Sequence, residues 1–244
     1  MTRIISLLII CYPFLGFSQG LRSGLILPVA DSLLYSDKYC CILSPENGFH
    51  TYDRPKGKII GVIRRVGDAR QDEQVPYKIY FVSGSIRKVI DEKCYREIAS
   101  ELSAFTYTDI ADGYLKVGAP SGYYWLKLAE IGQQGFKAVS WMDYLVMHSG
   151  SVLGYYANEP GLRIRKEPDA NSEVIGSVRG ELFEIKLTGE TSGQWAKVRV
   201  KKYKDHPCNT SQDEKDNLEY TLEGWLKVLD DTGMPNIWHY TRGC

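Results

Sequence analysis

The chain has 244 residues, of which 43% are hydrophobic and 25% charged, a balance that is ordinary for a globular protein with a real core. This composition excludes a wholly disordered chain and a low-complexity fibre. Thirty Lys and Arg residues equal thirty Asp and Glu residues, which argues against a general affinity for nucleic acid or anionic lipid.

The N-terminus has the organisation of a secretory signal peptide. Arg3 precedes an apolar run over residues 4–17, and small or polar residues follow at 18–20. Pro13 interrupts the run, which is shorter than the roughly 20 residues that a membrane-spanning helix needs. The sequence predicts a leader over residues 1–20 and an exported protein, whether periplasmic, envelope-associated or secreted. It predicts no membrane insertion after the leader is cleaved.

The first half, residues 21–150, is predicted to be mostly β. Residues 48–55 and 59–64 are interpreted as strands, and a third strand begins at Trp125. A large insertion separates the second and third strands, and a short amphipathic helix is predicted within it, because apolar residues recur there at helix-like intervals: Val89, Ile90, Cys94, Ile98 and Leu102. Residues 141–147 are strand-like, and a short linker over residues 150–158 is the expected boundary.

The second half, residues 151–244, contains five predicted short strands. Apolar and charged residues alternate over residues 161–168 and again over 194–200, as half-buried strands require. Residues 174–178 and 182–187 are rich in β-favouring types, and Gly224 begins the last strand. Residues 188–193 are read as a hairpin loop. Five strands with tight turns are typical of a small barrel or sandwich.

These strands carry a family resemblance. The order of Leu162-Arg163-Ile164-Arg165 with Pro168, Val174-Ile175-Gly176, Trp195-Ala196-Lys197-Val198 and Gly224-Trp225-Leu226 resembles the bacterial SH3-like domain family over residues 154–230. A long polar insertion over residues 201–223 departs from the tight hairpin of the family. The resemblance implies a small β-barrel that recognises cell-wall peptide, glycan or a protein segment of the envelope.

The sequence motifs of these strands recur in the first half of the chain, which indicates an internal repeat. Residues 48–55 parallel the first strand of the second half, and residues 59–64 parallel 174–179. Trp125-Leu126-Lys127-Leu128 is aligned with Trp195-Ala196-Lys197-Val198, and Gly135-Phe136 with Gly224-Trp225. The predicted fold is therefore all-β, with two tandem SH3-like barrels that pack against each other across the short linker.

Five cysteines remain after the leader, so at least one is unpaired or bonded between molecules. Export favours a disulfide between Cys208 and Cys244 that ties down the C-terminus, and Cys94 with Cys40 or Cys41 is a second pairing. A metal site at His206, Cys208, His239 and Cys244 lacks the paired spacing of zinc ligands, so no metal or cofactor is predicted.

No catalytic set is evident. The four histidines are scattered, and neither a glycine-rich phosphate loop nor an HExxH motif is present. Adjacent carboxylates such as Asp230 and Asp231 are interpreted as solvated loop charges. The sequence favours a protein that is not an enzyme, and an enzymatic function would require the histidine and cysteine side chains of the C-terminal region to converge.

Aromatic side chains are the strongest binding candidates. Aromatic residues make up 12% of the chain, and rings bury a large area while offering a polar edge. The predicted ligand-binding residues are Tyr155, Tyr156, Tyr203, Trp195, Trp225, Tyr123, Tyr124 and Trp141. Trp195 and Trp225 lie on predicted strands, where core packing is the competing role.

A basic run follows the tryptophan strand, and alternation places Lys197, Arg199 and Lys201 on one face, away from Val198 and Val200. A solvated outer face is one interpretation of this run. A patch for the carboxylates of wall peptides or of an acidic partner is the other.

Two functions remain open from the sequence. The first is a binding module for cell-wall peptide or glycan, or for an envelope peptide segment. The second is a structural or interaction factor, such as an assembly subunit, inhibitor or immunity-type protein, that binds another exported protein.

Overall fold

The computed structural model describes residues 22–30, 41–66, 78–90, 94–99, 102–119 and 122–239. The predicted leader, Cys40 and Cys244 lie outside the described residues, so both disulfide predictions remain predictions. No helix within the described ranges is long and apolar enough to cross a membrane.

The described residues are mostly β, which confirms the predicted all-β class. In chain order the strands are β1 Gly24–Pro28, β2 Cys41–Leu43, β3 Phe49–Tyr52, β4 Ile59–Val66, β5 Lys78–Ser83, β6 Ile86–Val89, β7 Tyr95–Ala99, β8 Leu102–Tyr107, β9 Asp109–Ala111, β10 Tyr114–Ala119, β11 Gly122–Lys127, β12 Phe136–Ser140, β13 Tyr155–Ala157, β14 Leu162–Arg165, β15 Val174–Val178, β16 Phe183–Ser192, β17 Trp195–Tyr203, β18 Leu218–Lys227 and β19 Ile237–His239. The α-helices are α1 Leu128–Gln133, α2 Trp141–His148 and α3 Glu214–Asn217.

The strands of the described ranges form three sheets. The small sheet has the order β12-β1-β8-β2, with β7 also paired to β8. The middle sheet has the order β6-β5-β4-β3-β11-β10-β9, and the C-terminal sheet has the order β15-β14-β18-β17-β16-β13-β19. The C-terminal sheet is built wholly from strands after residue 150, and the other two sheets wholly from strands before it.

Each strand predicted for the second half has a counterpart in the C-terminal sheet. The predicted alternation holds in β17, where Val198 and Val200 are buried while Arg199 is exposed. The predicted loop over residues 188–193 is instead mostly strand, because β16 continues to Ser192. A shift in the pairing register between residues 187 and 191 absorbs the irregularity.

The polar insertion over residues 201–223 lengthens the β17–β18 hairpin into an arm. Tyr203 near the end of β17 pairs with Leu218 at the start of β18. A 3-10 turn at Pro207–Asn209 and helix α3 close the arm. The buried Asn217 side chain accepts from the backbone N–H of Asp205 and donates to its carbonyl oxygen, each at 2.9 Å. The insertion is therefore ordered by its own strand pairing.

The helix predicted inside the first-half insertion is wrong. Val89 ends β6, residues 95–99 form β7, and Leu102 begins β8. Tyr95 lies opposite Phe105 in the antiparallel β7–β8 pair. The helix-like spacing arises because Ile90, Cys94 and Leu102 are buried in the same core although they do not lie on one element, whereas Val89 is exposed. Cross-strand pairing satisfies the backbone hydrogen bonds of the strands.

The strand-like reading of residues 141–147 is also wrong, because this segment is helix α2. Ser140 is the N-cap, and its side-chain oxygen accepts from the backbone N–H of Asp143 at 3.1 Å. A serine followed three residues later by an acidic residue is a start signal for a helix. Buried residues Trp141, Tyr144 and Leu145 form the inner face of the helix.

The two halves share one order of strands. In the middle sheet the order β4-β3-β11-β10-β9 matches β15-β14-β18-β17-β16 in the C-terminal sheet. The match extends to the small sheet, because β12-β1-β8 corresponds to β19-β13-β16. The single long strand β16 thus takes the place of both β8 and β9, which follow each other in the chain. Strands β2, β5, β6 and β7 of the first half have no counterpart in the second half. They are additions to a shared pattern.

The pairing registers agree residue by residue. Thr51 lies opposite Gly61 as Ile164 lies opposite Gly176, and in both hairpins the register shifts at the next residue. The sequence alignment of residues 48–64 with 161–179 therefore matches the structure. The alignment of Trp125 with Trp195 is wrong, because Trp125 lies opposite Tyr52 as Trp225 lies opposite Arg165. The counterpart of Trp195 is Tyr114, which precedes Leu115-Lys116-Val117.

The two halves pack through α2 and the C-terminal strand. The rings of Trp141 and Trp238 meet edge to face with centroids 5.7 Å apart, and Tyr144 stacks on Trp238 at 5.5 Å. The Tyr155 hydroxyl donates to the carbonyl oxygen of Leu145 at 2.6 Å, and burial raises the pKa of Tyr155. One continuous apolar core therefore crosses the linker.

Candidate binding surface

The predicted aromatic residues divide between core and surface. Tyr155, Tyr203, Tyr124 and Trp141 are buried. The prediction that these four rings form a ligand surface is corrected on this point: Tyr155, Tyr124 and Trp141 lie in the core. Tyr203 is buried outside the core, and its hydroxyl donates to Glu184 Oε2 at 2.9 Å. Tyr156, Trp195 and Trp225 are half-buried, and Tyr123 is 59% exposed.

A repeated arrangement of aromatic and lysine side chains lies on the outer face of both halves. In the first aromatic–lysine patch, Lys116 lies opposite Trp125, and Tyr114 lies opposite Lys127. The second aromatic–lysine patch has the same pairs in the same register: Lys197 with Trp225 and Trp195 with Lys227. The intervening residues of these strands, Leu115, Leu126, Ala196 and Leu226, are buried on the opposite face. Lys116, Trp125 and the residues of the second patch therefore face away from the core, whereas Tyr114 is buried against Tyr52.

The first patch contains a lysine held by rings. The Lys116 ammonium lies 3.9 Å from the centroid of Tyr123 and 5.9 Å from that of Trp125. Tyr123 precedes Trp125 by two residues and therefore lies on the same face of β11. The patch presents one exposed ring, one half-buried ring and a positive charge side by side. This combination suits a ligand with an apolar face and an acidic or hydrogen-bonding group.

In the second patch, acidic residues neutralise the cations. Lys197 Nζ lies 2.8 Å from Glu190 Oε1, and Lys227 pairs with Asp231. The hydrogen bond to Glu190 raises the pKa of Lys197. The rest of the basic run is paired in the same way along the arm: Arg199 with Glu223, Lys201 with Glu214 and Lys202 with Glu219. These ion pairs favour the solvated-face interpretation of the run.

Helix α1 supports the first patch from one side. Its Glu130 accepts a hydrogen bond from the Tyr52 hydroxyl at 2.5 Å and lies 3.4 Å from His50 and 3.6 Å from Lys127. The Tyr52 ring packs edge to face on Tyr114 at 5.2 Å. Burial and the Glu130 carboxylate raise the pKa of Tyr52 to about 12.

The raised pKa makes a testable contribution to stability. Because the folded-state pKa of Tyr52 exceeds the ordinary value of about 10, its contribution is complete below pH about 10 and is lost as the pH rises through about 12. We expect the free energy of unfolding, measured by urea titration, to fall between pH about 10 and about 12 in the parent protein, and to fall less in Tyr52→Phe. Tyr220→Phe, at an exposed tyrosine of the arm, is the control. An equal loss in parent and Tyr52→Phe would contradict the assignment.

Two shallow depressions lie near these surfaces. One, of about 500 Å³, is lined by residues of β3, β4 and β5, including His50, Ile60, Val62, Arg64 and Val82. The other, of about 370 Å³, lies between the halves and is lined by residues of β12, α2 and β16, including Lys137, Met142, Val146 and Thr191.

The histidine and cysteine candidates have separate roles in the described ranges. His239 is buried, and its Nε2 lies 3.1 Å from the Tyr144 hydroxyl. His206 Nδ1 accepts from the backbone N–H of Cys208 and so caps the 3-10 turn. The buried Cys94 sulfur contacts the carbonyl oxygen of Gly118. The described residues include no group of three or more His, Cys, Asp or Glu side chains placed to hold a metal ion.

Sequence reasoning missed Lys116 as a member of the surface, and it missed Tyr114 as the buried residue in the position of Trp195. A signal was present, because Tyr114-Leu115-Lys116-Val117 resembles Trp195-Ala196-Lys197-Val198. This similarity could be recognised only after the strand pairing showed which segments of the two halves correspond. Comparison with family models, with curated proteins and with solved structures finds no match.

Proposed function

We propose that this chain is an exported, non-catalytic binding protein made of two bacterial SH3-like repeats, and that it recognises cell-wall peptide or glycan. The observation that carries the proposal is the aromatic–lysine patch on the outer face of both halves. Core packing explains the buried rings, Tyr114 included, but it does not require the Lys116–Trp125 and Lys197–Trp225 pairs on the outer face. Such pairs supply contact area and charge to a ligand.

The leader-like N-terminus and the SH3-like order of motifs support the envelope as the place of action. The first patch is the primary contact in this proposal, because its Tyr123 ring is the most exposed of the aromatic candidates. The ion-paired second patch is a secondary contact. Ligand is bound and released unchanged, since neither patch holds a nucleophile with an adjacent base.

Retention on purified bacterial sacculi tests this proposal. We expect the mature protein to co-sediment with sacculi and the double variant Tyr123→Ala/Trp125→Ala to be retained at least about tenfold less, because truncating a central aromatic pair removes most of the contact energy. Tyr220→Ala, 39% exposed on the arm, is the matched control and should be retained as the parent is. Equal retention of the double variant, or no retention of the parent, would overturn wall binding.

A second function is favoured by one observation. Strand β6 is the edge of the middle sheet, belongs to the first-half additions, and exposes Ile86 at 53% and Val89 at 48%. An apolar edge strand is a surface that a protein partner can cover. As an interaction factor for another exported protein, the chain would co-purify with a stoichiometric partner from an envelope extract, and Ile86→Lys/Val89→Lys would abolish that complex without changing sacculus retention.

A further inference from the structure

The second patch carries its own carboxylate. Glu190 immediately precedes Thr191, which lies opposite Ala196, and its carboxylate bonds the Lys197 ammonium at 2.8 Å. The repeat therefore shows how this patch binds an acid: a carboxylate reaches the lysine that stands beside the tryptophan.

The first patch also has an acidic residue, Asp109, but its ion pair is with Arg22 and not with Lys116. Asp109 lies directly opposite Lys116 in the β9–β10 pair, and it immediately precedes Ile110 as Glu190 precedes Thr191. Its carboxylate pairs with Arg22, with Nε and Oδ1 3.0 Å apart. Arg22 is fixed there by a second hydrogen bond to the carbonyl oxygen of Ile110 at 2.7 Å.

Lys116 therefore forms no ion pair with any acidic residue of the described ranges and contacts aromatic rings instead. An exposed cation–π contact is a modest interaction, so an incoming carboxylate can draw the ammonium from the Tyr123 ring at little cost. A charge-assisted hydrogen bond would replace that contact. The Glu190–Lys197 pair in the second patch shows that the corresponding lysine holds a carboxylate.

We infer that the first patch is a site for a carboxylate-bearing sugar, with Lys116 holding the carboxylate and Tyr123 and Trp125 covering the apolar face of the sugar ring. The proposed occupant is a sugar, because Tyr123 and Trp125 lie two residues apart on the same face of β11, so that two rings stand beside the Lys116 ammonium. This site rests on the proposed function and specifies its ligand chemistry. Arg22 acts as a positioning residue, because it keeps Asp109 away from Lys116.

The test uses a matched pair of ligands. The mature protein, labelled with ¹⁵N, is titrated with methyl β-glucuronide and with methyl β-glucoside, which differ only in the carboxylate, and amide shifts of β10 and β11 report binding. We expect the glucuronide to bind about fivefold more tightly, the effect of one exposed ion pair. Lys116→Gln should remove the difference, and Lys88→Gln, at an exposed lysine of β6, should keep it.

A second set of variants separates this role from a merely structural one. Arg22→Gln should also remove the preference, since the released Asp109 then pairs with Lys116. The double variant Arg22→Gln/Asp109→Asn should restore the preference, because the residue opposite Lys116 then carries no charge. Equal binding of the two sugars, absence of binding by both, or failure of the double variant to restore the preference would overturn the inference.

Other outcomes distinguish this inference from the proposed function. Binding of acetyl-Gly-Gly with a free carboxylate, but of neither sugar, would assign the site to peptides and overturn the sugar assignment. Sacculus retention without a glucuronide preference would remove the acidic-sugar site alone. A glucuronide preference without sacculus retention would remove the cell-wall target alone and leave the Lys116 site in place.

Discussion

Replacing Trp141 by alanine is expected to lower the free energy of unfolding by about 3–5 kcal/mol, the usual cost of removing a fully buried aromatic side chain. Trp141 is fully buried at the first turn of α2, and its ring contacts Trp238 and Tyr144. Its loss would open a cavity where the two halves meet, so both halves should loosen together. Urea unfolding followed by circular dichroism measures the effect.

Two comparisons make the Trp141 prediction specific. Trp141→Phe should cost only about 1–2 kcal/mol, because it keeps most of the ring volume. It also removes an indole N–H that is buried and has no hydrogen-bond partner among the described residues. Met147→Ala, 55% exposed on the same helix, should change the free energy by less than about 0.5 kcal/mol. Similar losses in Trp141→Ala and Met147→Ala would contradict the position of the core.

Replacing Gly161 by alanine is expected to cost about 2–5 kcal/mol, from a strained backbone and a steric clash together. Gly161 has φ +100°, and a Cβ there would lie 2.6 Å from the carbonyl oxygen of Val178. Either β14 must move away from β15, or the carbonyl must shift and weaken the pairing. The free energy of unfolding in urea measures this cost.

Glycines elsewhere provide the matched controls for Gly161. Gly180 has φ +71° but no atom within 4 Å of an added Cβ, so Gly180→Ala should cost only the backbone strain of about 1–2 kcal/mol. Gly48 is the counterpart of Gly161 in the first half, with φ +75° and an added Cβ 2.3 Å from the carbonyl oxygen of Ile63. Gly48→Ala should therefore match Gly161→Ala. A Gly48 cost as small as that of Gly180 would contradict the equivalence of the two hairpins.

The correspondence between the two halves shows which structural features a local sequence pattern predicts. The alignment of residues 48–64 with 161–179 depends on glycines, a proline and alternating residues within one hairpin, and the pairing registers agree with it. The alignment of Trp125 with Trp195 failed because the large insertion removes any fixed spacing. Only the cross-strand partners Tyr52 and Arg165 identify Trp125 and Trp225 as equivalent.

The candidate surface was likewise predicted in part from the sequence and decided in part by the tertiary structure. Aromatic content drew attention to the correct residue types, and Tyr123 lies on the surface. Tyr155, like Tyr123, follows a glycine and precedes a second tyrosine, but it is buried, because the packing of α2 against the C-terminal sheet is a long-range event. The ion pair between Arg22 and Asp109 joins residues 87 positions apart, so no local sequence pattern predicts it.

The sequence by itself determined the all-β class, the strands of the second half and the hairpin that both halves share, because each depends on alternation, turn residues and glycine positions within a few residues. The tertiary structure decided that residues 95–99 form a strand, that residues 141–148 form a helix, and which rings face solvent. These outcomes depend on which distant segments pair and cover one another, and an apolar residue satisfies several such arrangements equally well.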